Sequence, residues 1–219
     1  MILEKVTPFI TRRAPGGLEL LVFQHPTSGV QLPAGTVEIG EKPATAALRE
    51  AREESGLSDL HLVCAIGQQE NLLPETDIAV CQTTTVYSRP DPGSFDWATL
   101  PRGARVRVER RTPGYVLVTF EEGDRYPDPQ YISYQITGWA PEAALGQIVR
   151  RYFFHLEFNG QSPADGWEVP IDCHIFRPFW LPWEIVQSPA CPILPQQRRW
   201  LEYAQGTLGY DFTPIPPAR

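Results

Sequence analysis

The sequence predicts an α/β fold in which one layered domain is interrupted by a small all-β insert. Three observations point there. The first 88 residues of the 219-residue chain alternate strand-like runs with a single helical stretch. At Arg89-Pro90-Asp91-Pro92-Gly93 the composition turns linker-like, and roughly fifty residues of alternating strands without a helix follow. Strand and helix signals then return before the C-terminus.

Residues 3–13 mix apolar and polar side chains as a strand does, and Pro15-Gly16-Gly17 turns the chain. LELLVF (18–23) is a second strand, apolar enough for burial along most of its length. Residues 29–32 form a short third strand running into Pro33-Ala34-Gly35. A helix is expected over 44–55: the stretch is rich in Ala, Leu, Glu and Arg, begins after Pro43 and stops at Gly56. Strands resume at 60–66 and 78–87.

In the insert, ARVRVER (104–110), YVLVTFE (115–121) and YISYQIT (131–137) alternate with short polar turns, which suggests a small closed barrel. Beyond it come a strand at 152–158, an aromatic-rich stretch to Trp183 and a helix at 195–205. Without 89–145, about 160 residues remain, an ordinary domain size, and the removed piece of about 57 suits an independent small barrel. The expected organisation is therefore one domain, 1–88 with 146–219, interrupted by 89–145.

Composition narrows the function. At 42% hydrophobic and 21% charged, the chain is globular rather than disordered. No apolar stretch nears the about 20 residues of a membrane span. The start, MILEKVTPFITRR, lacks the apolar run of a secretory signal, so a cytoplasmic protein without a membrane partner is expected. Cys64, Cys81, Cys173 and Cys191 lie far apart, as buried free thiols do. A net charge of -7 argues against generic nucleic-acid binding but leaves room for a phosphate substrate met by metal ions. The 23 prolines, and a basic complement with only Lys5 and Lys42 as lysines, carry no functional reading.

Chemistry concentrates in GTVEIGEKPATAALREAREESGL (35–57). With Glu50 at zero on a helical wheel, Glu53 falls at about 300° and Glu54 at about 40°, so three carboxylates share one face. Ala44, Leu48 and Ala51 gather near about 100–160°, the face expected to pack on a sheet. The carboxylates repel one another and form an all-oxygen donor set suited to Mg²⁺ or Mn²⁺. Three glutamates alone leave a solvated acidic helix open, and favour it.

The full spacing decides between these. Gly35, five residues, Glu41, seven residues, Arg49-Glu50, two residues, Glu53-Glu54, one residue and Gly56-Leu57 resembles the signature of the Nudix hydrolases at every charged and glycine position. Ala51 departs from it, occupying a slot that is usually bulkier. The resemblance implies an α/β/α sandwich around a mixed sheet. It also implies that Glu50, Glu53 and Glu54, with the carbonyl of Gly35, bind the metal. Glu41 resembles the position that steadies metal-bound water or the loop, and Arg49 the arginine that orients a neighbouring glutamate. Glu53 is expected as the general base ahead of Glu50.

Members of that family hydrolyse a nucleoside diphosphate linked to another group, which makes a small nucleotide the expected partner. ADP-ribose or a nucleotide sugar leads; a nucleoside triphosphate, a dinucleotide, or a non-catalytic sensor or scaffold built on the insert are the alternatives. Pro74 lies 17 residues beyond Leu57, near the 15–16 that the family associates with ADP-ribose. Tyr152, Phe153, Phe154, Trp167, Phe176, Trp180 and Trp183 could stack on a base, although core packing is the commoner use of such residues. His155 and Glu157 share a strand side with Phe153; Glu157 reads as a surface carboxylate before it reads as an outside base. The insert, ending GWAPEAAL (138–145), resembles a bacterial Src-homology-3-like barrel. Arg105, Arg107, Arg110 and Arg111 could meet phosphate, yet neighbouring acids favour a solvated face. Homodimerisation, covering the active site and recruiting a partner are the roles open to it.

Overall fold

A computed structural model describes residues 1–126, 128–161, 163, 166–171 and 174–208. The chain forms two compact units: Met1–Lys5 with Gln69–Arg151, and Val6–Gln68 with the described residues from Tyr152 onward. In chain order the first elements are β1 (Ile2–Ala14), β2 (Gly17–His25), β3 (Gly29–Gln31), β4 (Gly35–Thr36), α1 (Pro43–Ser55) and β5 (Leu60–Leu72). The middle of the chain supplies β6 (Asp77–Val80), β7 (Thr84–Tyr87), β8 (Asp96–Leu100), β9 (Arg105–Thr112), β10 (Tyr115–Gly123), β11 (Ile132–Pro141) and β12 (Leu145–Gly146). Last come β13 (Ile148–Phe158), β14 (Val169–Ile171), β15 (His174–Pro182), α2 (Trp183–Val186), α3 (Pro195–Arg198) and α4 (Leu201–Leu208).

One sheet has the order β14-β15-β2-β1-β13-β5, with β3 on β2 and β4 on β1. Alternation along its strands sorts side chains to two faces. Ile10 and Leu21 enter a core with Ala46, Ala47 and Ala51 of α1. Their neighbours Phe9, Leu20 and Val22 enter a second core with Trp183, Val186, Ile193, Leu201 and Ala204. A sheet covered on both faces by helical segments is the layered α/β arrangement expected, and adjacent strand residues decide which layer each helix joins.

Helix α1 starts at Pro43, whose missing N–H is no loss in a first turn. It ends at Gly56, which takes the left-handed φ of 70° and returns its N–H to Arg52 at 2.8 Å. Its buried side differs from the expected one. Ala46, Ala47 and Ala51 are innermost, while Ala44 and Leu48 are partly buried. Val37, from the loop before the helix, joins the same core.

The other sheet has the order β12-β6-β9-β10-β11-β7-β8. Its pairs are antiparallel, including nine residue pairs between β10 and β11. Ile78 and Leu145 at one end of that order share a core with Leu100 at the other, so the sheet curls around one apolar interior. The unit that holds this sheet takes in Met1–Lys5 with Gln69–Arg151. The expected strand at 78–87 is two strands, β6 and β7, and both pair in the second sheet. The break falls at 81–83, where the amides of Cys81 and Gln82 turn away to the Ala144 carbonyl. Hydrophobic alternation does not reveal such a break.

The helix expected at 195–205 is also two pieces, α3 and α4, joined by tight turns in which Trp200 N–H donates to the Gln197 carbonyl and Tyr203 N–H to the Trp200 carbonyl. Cys64, Cys81 and Cys191 are free thiols, and Cys173 lies outside the described residues. Among the described residues no helix is long and apolar enough to cross a membrane.

Candidate active site

The loop before α1 and the helix itself bring Gly35, Glu41, Arg49, Glu50, Glu53 and Glu54 together. Arg49 is the hub. Its Nε donates to Glu41 Oε1 at 3.1 Å and its Nη2 to Glu41 Oε2 at 2.9 Å, a two-pronged pairing that fixes the guanidinium plane. Nη1 donates to Glu50 at 2.9 Å and to Glu53 at 3.1 Å. Nη2 also reaches the Thr36 carbonyl at 3.1 Å, which ties the helix to β4. Glu41 in turn accepts the Glu38 N–H at 3.0 Å, closing the turn ahead of the helix.

Glu50 is the most constrained carboxylate. A Cβ on residue 35 would coincide with its carboxyl group, so a side chain there would require the carboxylate to move. Burial pushes the Glu50 carboxyl above its usual range, with Arg49 opposing. Glu41 moves the other way, held below the usual range chiefly by its hydrogen bonds from Arg49. Glu53 stays 55% exposed, open to a ligand from solvent. Glu54 accepts the Ala34 N–H at 2.8 Å and so pins the loop to the helix.

The donor set fits a hard divalent cation in kind. It is all oxygen, and one member carries a carboxylate whose charge is disfavoured by burial and only partly offset by one arginine. Among the described residues, no group of three His, Cys, Asp or Glu side chains is gathered as a metal cage. Glu50 and Glu53 instead share Arg49 Nη1.

Residues 6–103 match the family described as NUDIX domain. The chain thus holds the whole 35–57 signature inside the matched stretch. Its solved likenesses are distant. A C. elegans Ap4A hydrolase is 13% identical, with a TM-score of 0.46, covering 94% of this chain and 98% of that one. A NUDIX hydrolase from Nitrosomonas europaea is 13% identical, with a TM-score of 0.46 and coverage of 94% and 90%. The NUDIX domain of Shewanella oneidensis NrtR, solved with ADP ribose, is 12% identical, with a TM-score of 0.43 and coverage of 95% and 89%. At such values these likenesses carry no argument about what this chain binds. No curated protein matches the chain.

Outside the Nudix box, most of the aromatic candidates are spent on packing. Phe153 is fully buried, 4.4 Å from Tyr203 and 6.0 Å from Phe9 between ring centroids. Phe154 and Trp183 lie in the two cores. Tyr152 packs against the first of these, and Phe176 stacks on Phe23 at 4.5 Å. Trp167 donates its indole N–H to the Ser55 carbonyl at 2.7 Å, sealing the end of α1. Trp180 stacks on Phe158 and takes the Arg12 guanidinium 4.3 Å from its ring centroid.

His155 shares a 2.8 Å hydrogen bond with the Thr11 hydroxyl, and burial pulls its pKa down. In the other unit, Pro74 lies before β6 with its carbonyl accepting the Asp77 N–H. Arg105 pairs with Asp77, Arg107 with Glu109 and Glu121, and Arg111 with Glu142, while Arg110 lies over Trp139. Three of these arginines face acids of their own unit, as a solvated face does. The residues that sequence reasoning passed over are backbone groups: the Thr36 carbonyl and the Ala34 N–H. The LPAG run ahead of the box is their one signal.

Proposed function

We propose that the protein hydrolyses a pyrophosphate bond in a nucleoside diphosphate linked to a second group, with ADP-ribose or a nucleotide sugar as the substrate class. The carrying observation is the Glu50 carboxylate seated in the space where a Cβ at position 35 would lie. Such a close approach has no packing benefit for a solvated helix, but it brings the backbone at Gly35 against a carboxylate.

Glu50, Glu53 and Glu54, with the Gly35 carbonyl, would hold Mg²⁺ or Mn²⁺, the kind of ion such hydrolases use. Bound there, the ion supplies charge neutralisation for the phosphates and a more acidic water. The chain's own residues do the remaining work. Arg49 aims Glu50 and Glu53 through one nitrogen, and Glu41 keeps that guanidinium from swinging. Glu53, exposed and adjacent, accepts the proton of the attacking water. The new P–O bond forms as the anhydride P–O bond opposite it breaks, and the second phosphate leaves with the bridging oxygen.

Purified protein with Mg²⁺ or Mn²⁺, assayed on nucleotide sugars, ADP-ribose, dinucleotides and nucleoside triphosphates, tests this. Cleavage of the first two classes ahead of the rest is expected. Glu53→Gln should lose at least about a hundredfold in kcat with an unchanged melting temperature. No cleavage of any compound overturns the enzyme reading, and near-normal turnover in Glu53→Gln overturns the role of Glu53.

A further inference from the structure

The segment between β3 and β4 offers few backbone donors, and each has a separate anchor. Leu32 is fully buried, and its N–H donates at 2.6 Å to the side-chain carbonyl of Gln197 on α3. Pro33 has no N–H to give. The Ala34 N–H donates at 2.8 Å to Glu54 on α1. Gly35 follows directly, against the Glu50 carboxyl group. The loop is therefore strung between α3 on one side and the box helix on the other.

The α3 side is itself braced. Leu194 N–H donates to the Val30 carbonyl at 3.0 Å, and Ile193 bridges Val30 in parallel. Arg198 donates to the carbonyls of Ile193 and Cys191. Gln197 is 8% exposed, so its amide sits in a place where a polar side chain needs a reason. Because Leu32 precedes a proline, its backbone is confined to extended conformations, and a shift at Leu32 passes along the stiff segment to Gly35.

We infer that Gln197, from the far end of the chain, is a positioning residue for the box. Its carbonyl sets the height of the loop so that Gly35 meets Glu50 and Ala34 meets Glu54. This rests on residues 35–57 being the active site. Reactions and metal sites tolerate little displacement: about 1 Å can cost about a hundredfold in rate, and the loss of an outer hydrogen-bond partner about 10–100-fold in metal affinity.

The test uses the full chain and three variants. Gln197→Met keeps the volume but removes the acceptor; Gln197→Glu keeps the acceptor; Gln197→Asn draws it back by one methylene. Mn²⁺ binding without substrate is followed by electron paramagnetic resonance of the free ion, alongside kcat, KM and melting temperature. Gln197→Met should weaken Mn²⁺ binding and lower kcat by at least about tenfold each, Gln197→Asn should fall between, and Gln197→Glu should match the wild type. If Gln197→Met does not fold, the contrast between Asn and Glu decides. A lower melting temperature with unchanged Mn²⁺ affinity and kcat overturns the inference, as does a Gln197→Glu as impaired as Gln197→Met. Wild-type protein that neither binds Mn²⁺ nor cleaves any nucleotide overturns the reading of the site, and the inference with it.

Discussion

The protein carries two clusters of arginine and carboxylate built from the same residue types and put to different uses. Around Arg49, one guanidinium serves three glutamates, and Glu41 and Glu50 are only 13% exposed at the side chain. On the second sheet, Arg105, Arg107 and Arg111 meet Asp77, Glu109, Glu121 and Glu142, with the arginines 43–58% exposed. In the second cluster, charges are nearly matched and water screens the rest, so each pair contributes little. The first leaves an excess of negative charge in a partly desolvated place. Imbalance and burial mark a site, whereas the presence of charged residues does not.

The sharpest way to break this comparison is Gly35→Ala. The new methyl must displace the Glu50 carboxyl group, and kcat should fall by about a hundredfold or more, since a misplacement of about 1 Å costs that much. Steady-state rates with a parallel melting curve check it; a near-normal rate would make the close approach incidental.

A second effect concerns stability and is opposite in sign. Because burial raises the folded-state pKa of Glu50, the fold favours the neutral form. Stability from this group is fully present below its unfolded value of 4.5 and is lost as pH rises through the higher folded value. Glu50→Gln should therefore raise the melting temperature at neutral pH in metal-free buffer while abolishing turnover, and the gain should vanish below about pH 4.5. Thermal unfolding between pH 4 and 8 reads this out. A destabilised variant at pH 7 would show that the Arg49 pairing outweighs desolvation.

The smallest effect belongs to the balanced cluster. Arg107→Met should cost less than about 1 kcal/mol in denaturant unfolding and leave turnover unchanged. A loss of activity there would mean that the second sheet's charges serve the chemistry after all.

Much of the candidate site is legible in the amino-acid order, because its information is local. A carboxylate set on one helix turn, a glycine six residues before Glu41 and an arginine beside Glu50 are fixed by spacing alone. The helix itself is legible for the same reason: Pro43 and Gly56 bracket it. Less legible is which side of α1 is innermost, because Ala46, Ala47 and Ala51 are buried while Ala44 and Leu48 are only partly so. The reach of the second sheet is not legible either, since β6 and β7 look like any other apolar strands until pairing partners are known.

The sequence by itself determined the resemblance to the Nudix signature, the helix, the carboxylate cluster and the existence of an all-β segment, because each depends on short-range pattern. Only the tertiary structure decided which glutamate is desolvated, that its carboxyl group lies against position 35, and that Gln197 reaches a loop 165 residues away. Those facts depend on what meets what across the fold, and pairwise contact between distant segments leaves no periodicity to read.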